Sequence, residues 1–145
     1  MKISQNDLDK IKALAATHKL PYEGVLAVIE IESNGVSGEI IGGRLEPIIR
    51  YEGHYFDKLC KPEVRSAARS AGVSAAKAGV INNPPKQADR WKLVLKAASF
   101  DVSAAYQSCS YGVGQVMGSH WKALGYKSID AFMTKVRSGF VGQVE

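Results

Sequence analysis

The chain has 145 residues, 46% of them hydrophobic, which is enough for one soluble domain with a buried core and argues against a disordered chain. No stretch approaches the roughly twenty consecutive apolar residues of a membrane span, and the segment from Met1 to Asp7 lacks the apolar core of a secretory signal. The formal charge of +5 favours anionic partners, but lysines and arginines are spread without a basic stripe interleaved with aromatics, so nucleic acid is not an expected partner.

Ser4 to Asp7 reads as a capping box that opens a helix with Leu8, Ile11, Leu14 and Ala15 on one face. A second helix starts at Pro21, and on a 3.6-residue period Val25, Val28, Ile29 and Glu32 share a stripe. That pattern predicts a carboxylate on the buried face. A carboxylate surrounded by aliphatic side chains loses hydration and keeps its proton more readily, the condition for a general acid. The same spacing serves equally well for an ordinary glutamate bonded to its neighbours at a helix end. Ser33, Asn34 and Gly35 stop the helix, because glycine accepts the left-handed terminal conformation and Ser and Asn favour caps, and this puts Glu32 at a cleft mouth. Residues 38–50 then read as two short apolar strands around a Gly42-Gly43 turn.

Tyr55 to Cys60 continues as a short helix, and the alanine-rich stretch from Pro62 to Val80 is helical in parts. Gly79 to Lys86 is rich in turn formers and is either a lid or a plain surface connection. Trp91 to Ala98 and Asp101 to Gln107 read as two helices, the second capped by Asp101. In the segment Ser110 to His120, Gly112 and Gly114 flank Val113 and allow close backbone approach, while Gln115 sets an amide at the start of the next helix. Such a turn suits a binding wall or simple helix packing. Ser128 caps a last helix through Arg137. Cys60 and Cys109 have no metal spacing and no adjacent histidine, so they are expected to be reduced and structural; His18, His54 and His120 are too scattered for a metal motif. Neither a metal nor a cofactor is expected.

Glu32-Ser33 with Gly35, followed further along by Tyr111 to Met117, resembles the Glu-Ser pair and the glycine-rich motif of lytic transglycosylases and goose-type lysozymes. More specifically, Ala27 to Gly35, Arg50 to Phe56 and Ser110 to Gly118 resemble, in order, three blocks of the phage-endolysin N-acetylmuramidase family, and Trp121 to Phe132 adds a fourth. The resemblance spans roughly residues 20 to 133.

It implies a mainly α, lysozyme-like α+β fold, a helical domain with a small β-hairpin beside the catalytic helix. It also implies hydrolysis of the β-1,4 bond between N-acetylmuramic acid and N-acetylglucosamine in peptidoglycan strands. By position Glu32 matches the catalytic acid and Gln115 the glutamine that lines the cleft, with Ser33, Tyr111 and Met117 from the same motifs as substrate-binding residues. Glu52 and His54 fall in the block written Phe-Glu-x-His-x-Phe in relatives. There Glu52 either orients a water or stabilises positive charge on the sugar with His54 as partner, or the two form a structural pair tying the hairpin to a helix. Two other readings stay open: a lytic transglycosylase on the same bond, and a truncated non-catalytic protein that binds cell wall or a partner. The net charge fits peptidoglycan carboxylates and lipopolysaccharide alike.

One departure concerns the end of the chain. After Phe132 relatives continue through a further helical segment, whereas here only Met133 to Glu145 follows. Residues 1–145 are therefore expected to form a single domain lacking that segment, with exposed apolar surface that a second copy of the chain would cover. The absence of a signal sequence predicts a host-cytoplasmic protein that meets the wall after release.

Overall fold

The computed structural model describes residues 3–145. The chain forms α1 (Gln5–Thr17), α2 (Tyr22–Ser33), a hairpin of β1 (Gly38–Ile41) and β2 (Arg44–Pro47), then β3 (Ile49–Tyr51), α3 (Gly53–Leu59), α4 (Pro62–Ser70), α5 (Gln87–Ala98) and α6 (Val102–Gln107). After these come β4 (Cys109–Tyr111), β5 (Val116–Met117), a 3-10 turn at Gly118–His120, α7 (Ile129–Val136) and α8 (Phe140–Val144). The fold is mainly α with a small antiparallel β part, as expected. No helix among the described residues is long and apolar enough to cross a membrane. The chain divides into two compact units.

The first unit holds α1, α2, the β1–β2 hairpin, residues 111–115 and the C-terminal residues 134–145. Ser4 caps α1 as its sequence predicts: its Oγ accepts from the Asp7 backbone N–H at 3.2 Å and donates to Asp7 Oδ2 at 2.7 Å. The hairpin turns at Gly42 and Gly43, both at positive φ (59° and 80°), the conformation a two-residue primed turn demands, with Ile41 paired to Arg44. A core of Ile11, Ile29 and Val113 gathers Tyr22, Val25 and Leu26 from α2 and Phe140 and Val144 from α8. The C-terminal residues thus pack into the core of this unit. Gln143 ties them in: its Oε1 accepts from Val113 N–H at 3.0 Å, and its Nε2 donates to the carbonyls of Val136 (2.8 Å) and Ser37 (3.2 Å). Arg137 adds an ion pair to the buried Glu46 at 2.8 Å, and Arg44 approaches the other Glu46 oxygen at 2.5 Å.

The second unit holds residues 49–110 and 116–133. Its core contains Phe56, Val73, Trp91 and Val94, and Tyr51 lies fully buried with its hydroxyl donating to the Val73 carbonyl at 2.7 Å. Burial, then the neighbouring thiols of Cys109 and Cys60, push that phenol far above its ordinary range. Asp101 caps α6 by accepting from Ala104 N–H at 3.0 Å, and its second oxygen accepts from Lys61 N–H at 3.1 Å. Asp57, on α3, is fastened by Arg69 (2.7 and 2.8 Å) and by the Ser74 hydroxyl (2.7 Å).

Two expectations need correction here. The segment from Ser110 to His120 is not a turn between helices: β3, β4 and β5 make a three-stranded sheet, and Gln115 stands before β5, not at a helix start. Strands of two or three residues are set by pairing with distant chain and leave no period-2 signature to read. The tail also does more than trail from α7, since α8 forms after Gly139 and buries Phe140 and Val144 against the first core.

Candidate functional site

Glu32 lies in the last turn of α2, and the helix ends as its sequence predicts, with Asn34 (φ 52°) and Gly35 (φ 76°) in the left-handed region. Its side chain, however, is on the exposed side of the helix. The buried line runs through Tyr22, Val25, Leu26 and Ile29, whereas Val28 is 53% and Ile31 81% exposed. The expected stripe was rotated because residues 25–29 and 31 are all apolar, so periodicity alone cannot choose the inward face. Glu32 is therefore a carboxylate open to solvent with uncovered apolar neighbours in Val28 and Ile31. Among the described residues it has no ion pair or hydrogen-bonded side-chain partner.

Ser33 is occupied in ending the helix. Its Oγ donates to the Ile29 carbonyl at 2.8 Å and accepts from Gly35 N–H at 3.2 Å, so a ligand can reach only its remaining lone pair. The Gly112–Gln115 turn belongs to the same unit, and Val113 packs in one cluster with Ile29 of α2. Gly112 is required there: it has φ 66°, and a Cβ would strike the side chain of Gln143. Gln115, itself at φ 47°, folds its Nε2 onto the Gly112 carbonyl at 2.9 Å. Tyr111 is 2% exposed, which leaves its ring little surface for the expected sugar-holding role.

Glu52, His54 and Met117 belong to the second unit. Glu52 Oε1 accepts from Arg50 Nε at 3.0 Å, and its Oε2 is 3.5 Å from His54 Nδ1. That nitrogen is buried and has no hydrogen-bond partner among the described residues, so the glutamate and histidine are adjacent without being well aligned. Met117 is half-buried in β5. Glu52 opens onto a cavity of about 310 Å³ walled by Arg50, Arg90, Asn82, Asn83, Ala78, Gly79 and Ile81. Sequence reading singled out neither arginine. The one signal was the turn-rich stretch Gly79 to Lys86, whose Asn83 side chain clamps both backbone groups of Tyr51 at 2.8 Å.

Among the described residues no three His, Cys, Asp or Glu side chains come together in a way that would hold a metal ion. Cys60 and Cys109 are both buried and are not joined in a disulfide.

A family model for N-acetylmuramidase matches residues 21–145. The structure is similar to the crystal structure of a Burkholderia AP3 phage endolysin, with a TM-score of 0.74 and 25% identity over 98% of this chain and 52% of that one. The present chain thus spans about half the length of that endolysin. No curated protein matches. The chain belongs to the N-acetylmuramidase family.

Proposed function

We propose that the chain degrades peptidoglycan, hydrolysing the β-1,4 bond between N-acetylmuramic acid and N-acetylglucosamine with Glu32 as general acid. The family match over residues 21–145, which includes Glu32, Glu52 and Gln115, carries this reading. Glu32 is solvent-open at the end of α2, and Val28 and Ile31 beside it offer apolar surface to a sugar face. In the reaction the Glu32 carboxyl gives its proton to the bridging oxygen as the C1–O bond breaks and the ring gains oxocarbenium character. Water adds at C1, its surplus proton leaves, and the muramic acid gains a reducing end.

Glu52 is the second carboxylate this chemistry calls on. Arg50 and His54 flank both its oxygens, an arrangement suited to stabilising positive charge on the sugar or orienting the water rather than to donating a proton. Gln115, on a turn packed beside α2, supplies an amide for the N-acetyl group, and Met117 lends apolar surface.

The test is to add the purified chain to outer-membrane-stripped Gram-negative cells, follow turbidity, and weigh the released muropeptides. Hydrolysis gives clearing and reducing ends. Products uniformly one water lighter would assign transglycosylation instead, and intact peptidoglycan after long incubation would overturn the enzymatic reading in favour of binding alone.

A further inference from the structure

The cavity at Glu52 contains a cation that no carboxylate among the described residues neutralises. Arg90 reaches it from α5, with its guanidinium held by two neutral acceptors: Nε donates to the Pro84 carbonyl at 2.7 Å and Nη1 to the Ile49 carbonyl at 2.8 Å. Among the described residues no carboxylate is in ion-pair range of it. The other arginine of the cavity, Arg50, is matched by Glu52 at 3.0 Å, so two guanidiniums stand against one carboxylate. A half-buried guanidinium fixed by backbone carbonyls is a preorganised donor fork with free N–H groups, and its natural complement is a planar carboxylate. Asn82 stands on the same wall, and among the described residues its side chain makes no hydrogen bond, whereas the Asn83 amide is engaged with both backbone groups of Tyr51.

A neutral sugar would satisfy an asparagine but leave the charge of Arg90 unanswered. Peptidoglycan differs from a plain N-acetylated glycan in one relevant respect: its muramic acid bears a peptide with free carboxylates. That arm leaves from C3 of the ring whose C1 reacts, so a muramic acid with C1 near Glu52 carries its peptide into the immediate surroundings. The cavity, about 310 Å³, is at the lower end of the range for small-ligand sites and suits one or two peptide residues, not a second sugar chain.

We propose that this cavity is a carboxylate pocket for the peptide arm of muramic acid, with Arg90 as the specificity-determining residue and Asn82 as a second donor. The proposal rests on the muramidase reading, and it makes the chain selective for strands whose peptides carry free carboxylates over the same strands amidated.

The experiment has a kinetic and a binding arm. In the first, kcat/KM is measured on intact strands and on the same strands with their peptide carboxylates amidated. The expected preference for intact strands is tenfold or more, falling towards one in Arg90→Met, and at least threefold lower in Asn82→Ala, where the altered residue is exposed and has no bond to lose. Lys77→Ala, an exposed residue outside the cavity lining, keeps the ratio of the wild type.

The binding arm does not depend on catalysis. The side-chain Nε–H of Arg90 is followed by NMR as alanyl-glutamyl-diaminopimelate tripeptide is added, against the same peptide fully amidated and against acetate. The carboxylate peptide should shift the resonance saturably, the amidated one should not, and acetate should do so at much higher concentration. Equal effects of Arg90→Met on both strands, or equal shifts from the carboxylate and amidated peptides, would overturn the proposal. If no strand is cleaved, the muramidase reading fails while the titration still decides the pocket.

Discussion

Gln143 offers the sharpest test of how the first unit is held together. Its amide satisfies three backbone groups, accepting from Val113 N–H and donating to the Val136 and Ser37 carbonyls, while Val113 is only 1% exposed. Gln143→Ala leaves the buried N–H of Val113 without its partner, at about 1–3 kcal/mol, and strips donors from two carbonyls that solvent can partly replace. The sum is about 2–4 kcal/mol, a large share of the 5–15 kcal/mol typical of a whole domain. Gln143→Glu distinguishes hydrogen bonding from packing. The substituent keeps the shape and still accepts from Val113, but its second oxygen faces the two carbonyls, so it should be destabilised at neutral pH by at least as much as alanine. It should recover part of the loss as pH falls and the carboxyl is protonated. The assay is urea unfolding followed by circular dichroism, with m compared across variants so that only stability is read. A loss below about 0.5 kcal/mol for Gln143→Ala, or a glutamate variant as stable as wild type at neutral pH, would refute this account of the C-terminal residues.

Acid should weaken the second unit through Asp57, whose carboxyl the Arg69 hydrogen bonds, with help from Ser74, lower from the ordinary 3.8 to about 2. Because its folded value is depressed, this stabilisation is complete above about pH 4 and is lost as pH falls towards 2. Its size is at most about 2 kcal/mol, and nearer 1 after allowing for solvent around the half-exposed Arg69. Unfolding free energy measured from pH 5 to 2 should therefore fall less steeply in Asp57→Asn, and identical slopes would contradict the assignment. Asp101→Ala should lose about 1–2 kcal/mol in the same denaturation assay, since it removes the α6 cap and the partner of Lys61 N–H. Glu52→Gln should lower kcat on the order of 10² while leaving KM near its original value, and a variant changed only in stability would return Glu52 and His54 to a structural role.

What could be read from the sequence was local chemistry. The Ser4 and Asp101 caps, the Gly42-Gly43 turn and the stop after Ser33 each rest on a residue whose side chain or missing Cβ dictates nearby backbone, and each forms as expected. What escaped was decided at a distance. The face of α2 turned inward depends on what Val113, Phe140 and Val144 bring to it, not on its own nearly continuous apolar run. The strands at Cys109–Tyr111 and Val116–Met117 exist by pairing, and α8 is anchored by contacts that Gln143 makes across the unit. For the candidate site, the identity of Glu32 and its position at a helix end were legible, but its exposure was not. The lone charge of Arg90 emerged only once Pro84 and Ile49 were seen to hold it.

The central claim is that Glu32 supplies the proton, and Glu32→Gln tests it with little interference from folding. The carboxylate is exposed and has no side-chain partner among the described residues, so the variant should unfold within about 0.5 kcal/mol of wild type. Its rate of lysis of outer-membrane-stripped cells should meanwhile fall by about 10² to 10⁴, the contribution of a positioned general acid. A variant equally stable and retaining more than about a tenth of the lytic rate would contradict the assignment, because a loss that small lies below what removing a general acid produces.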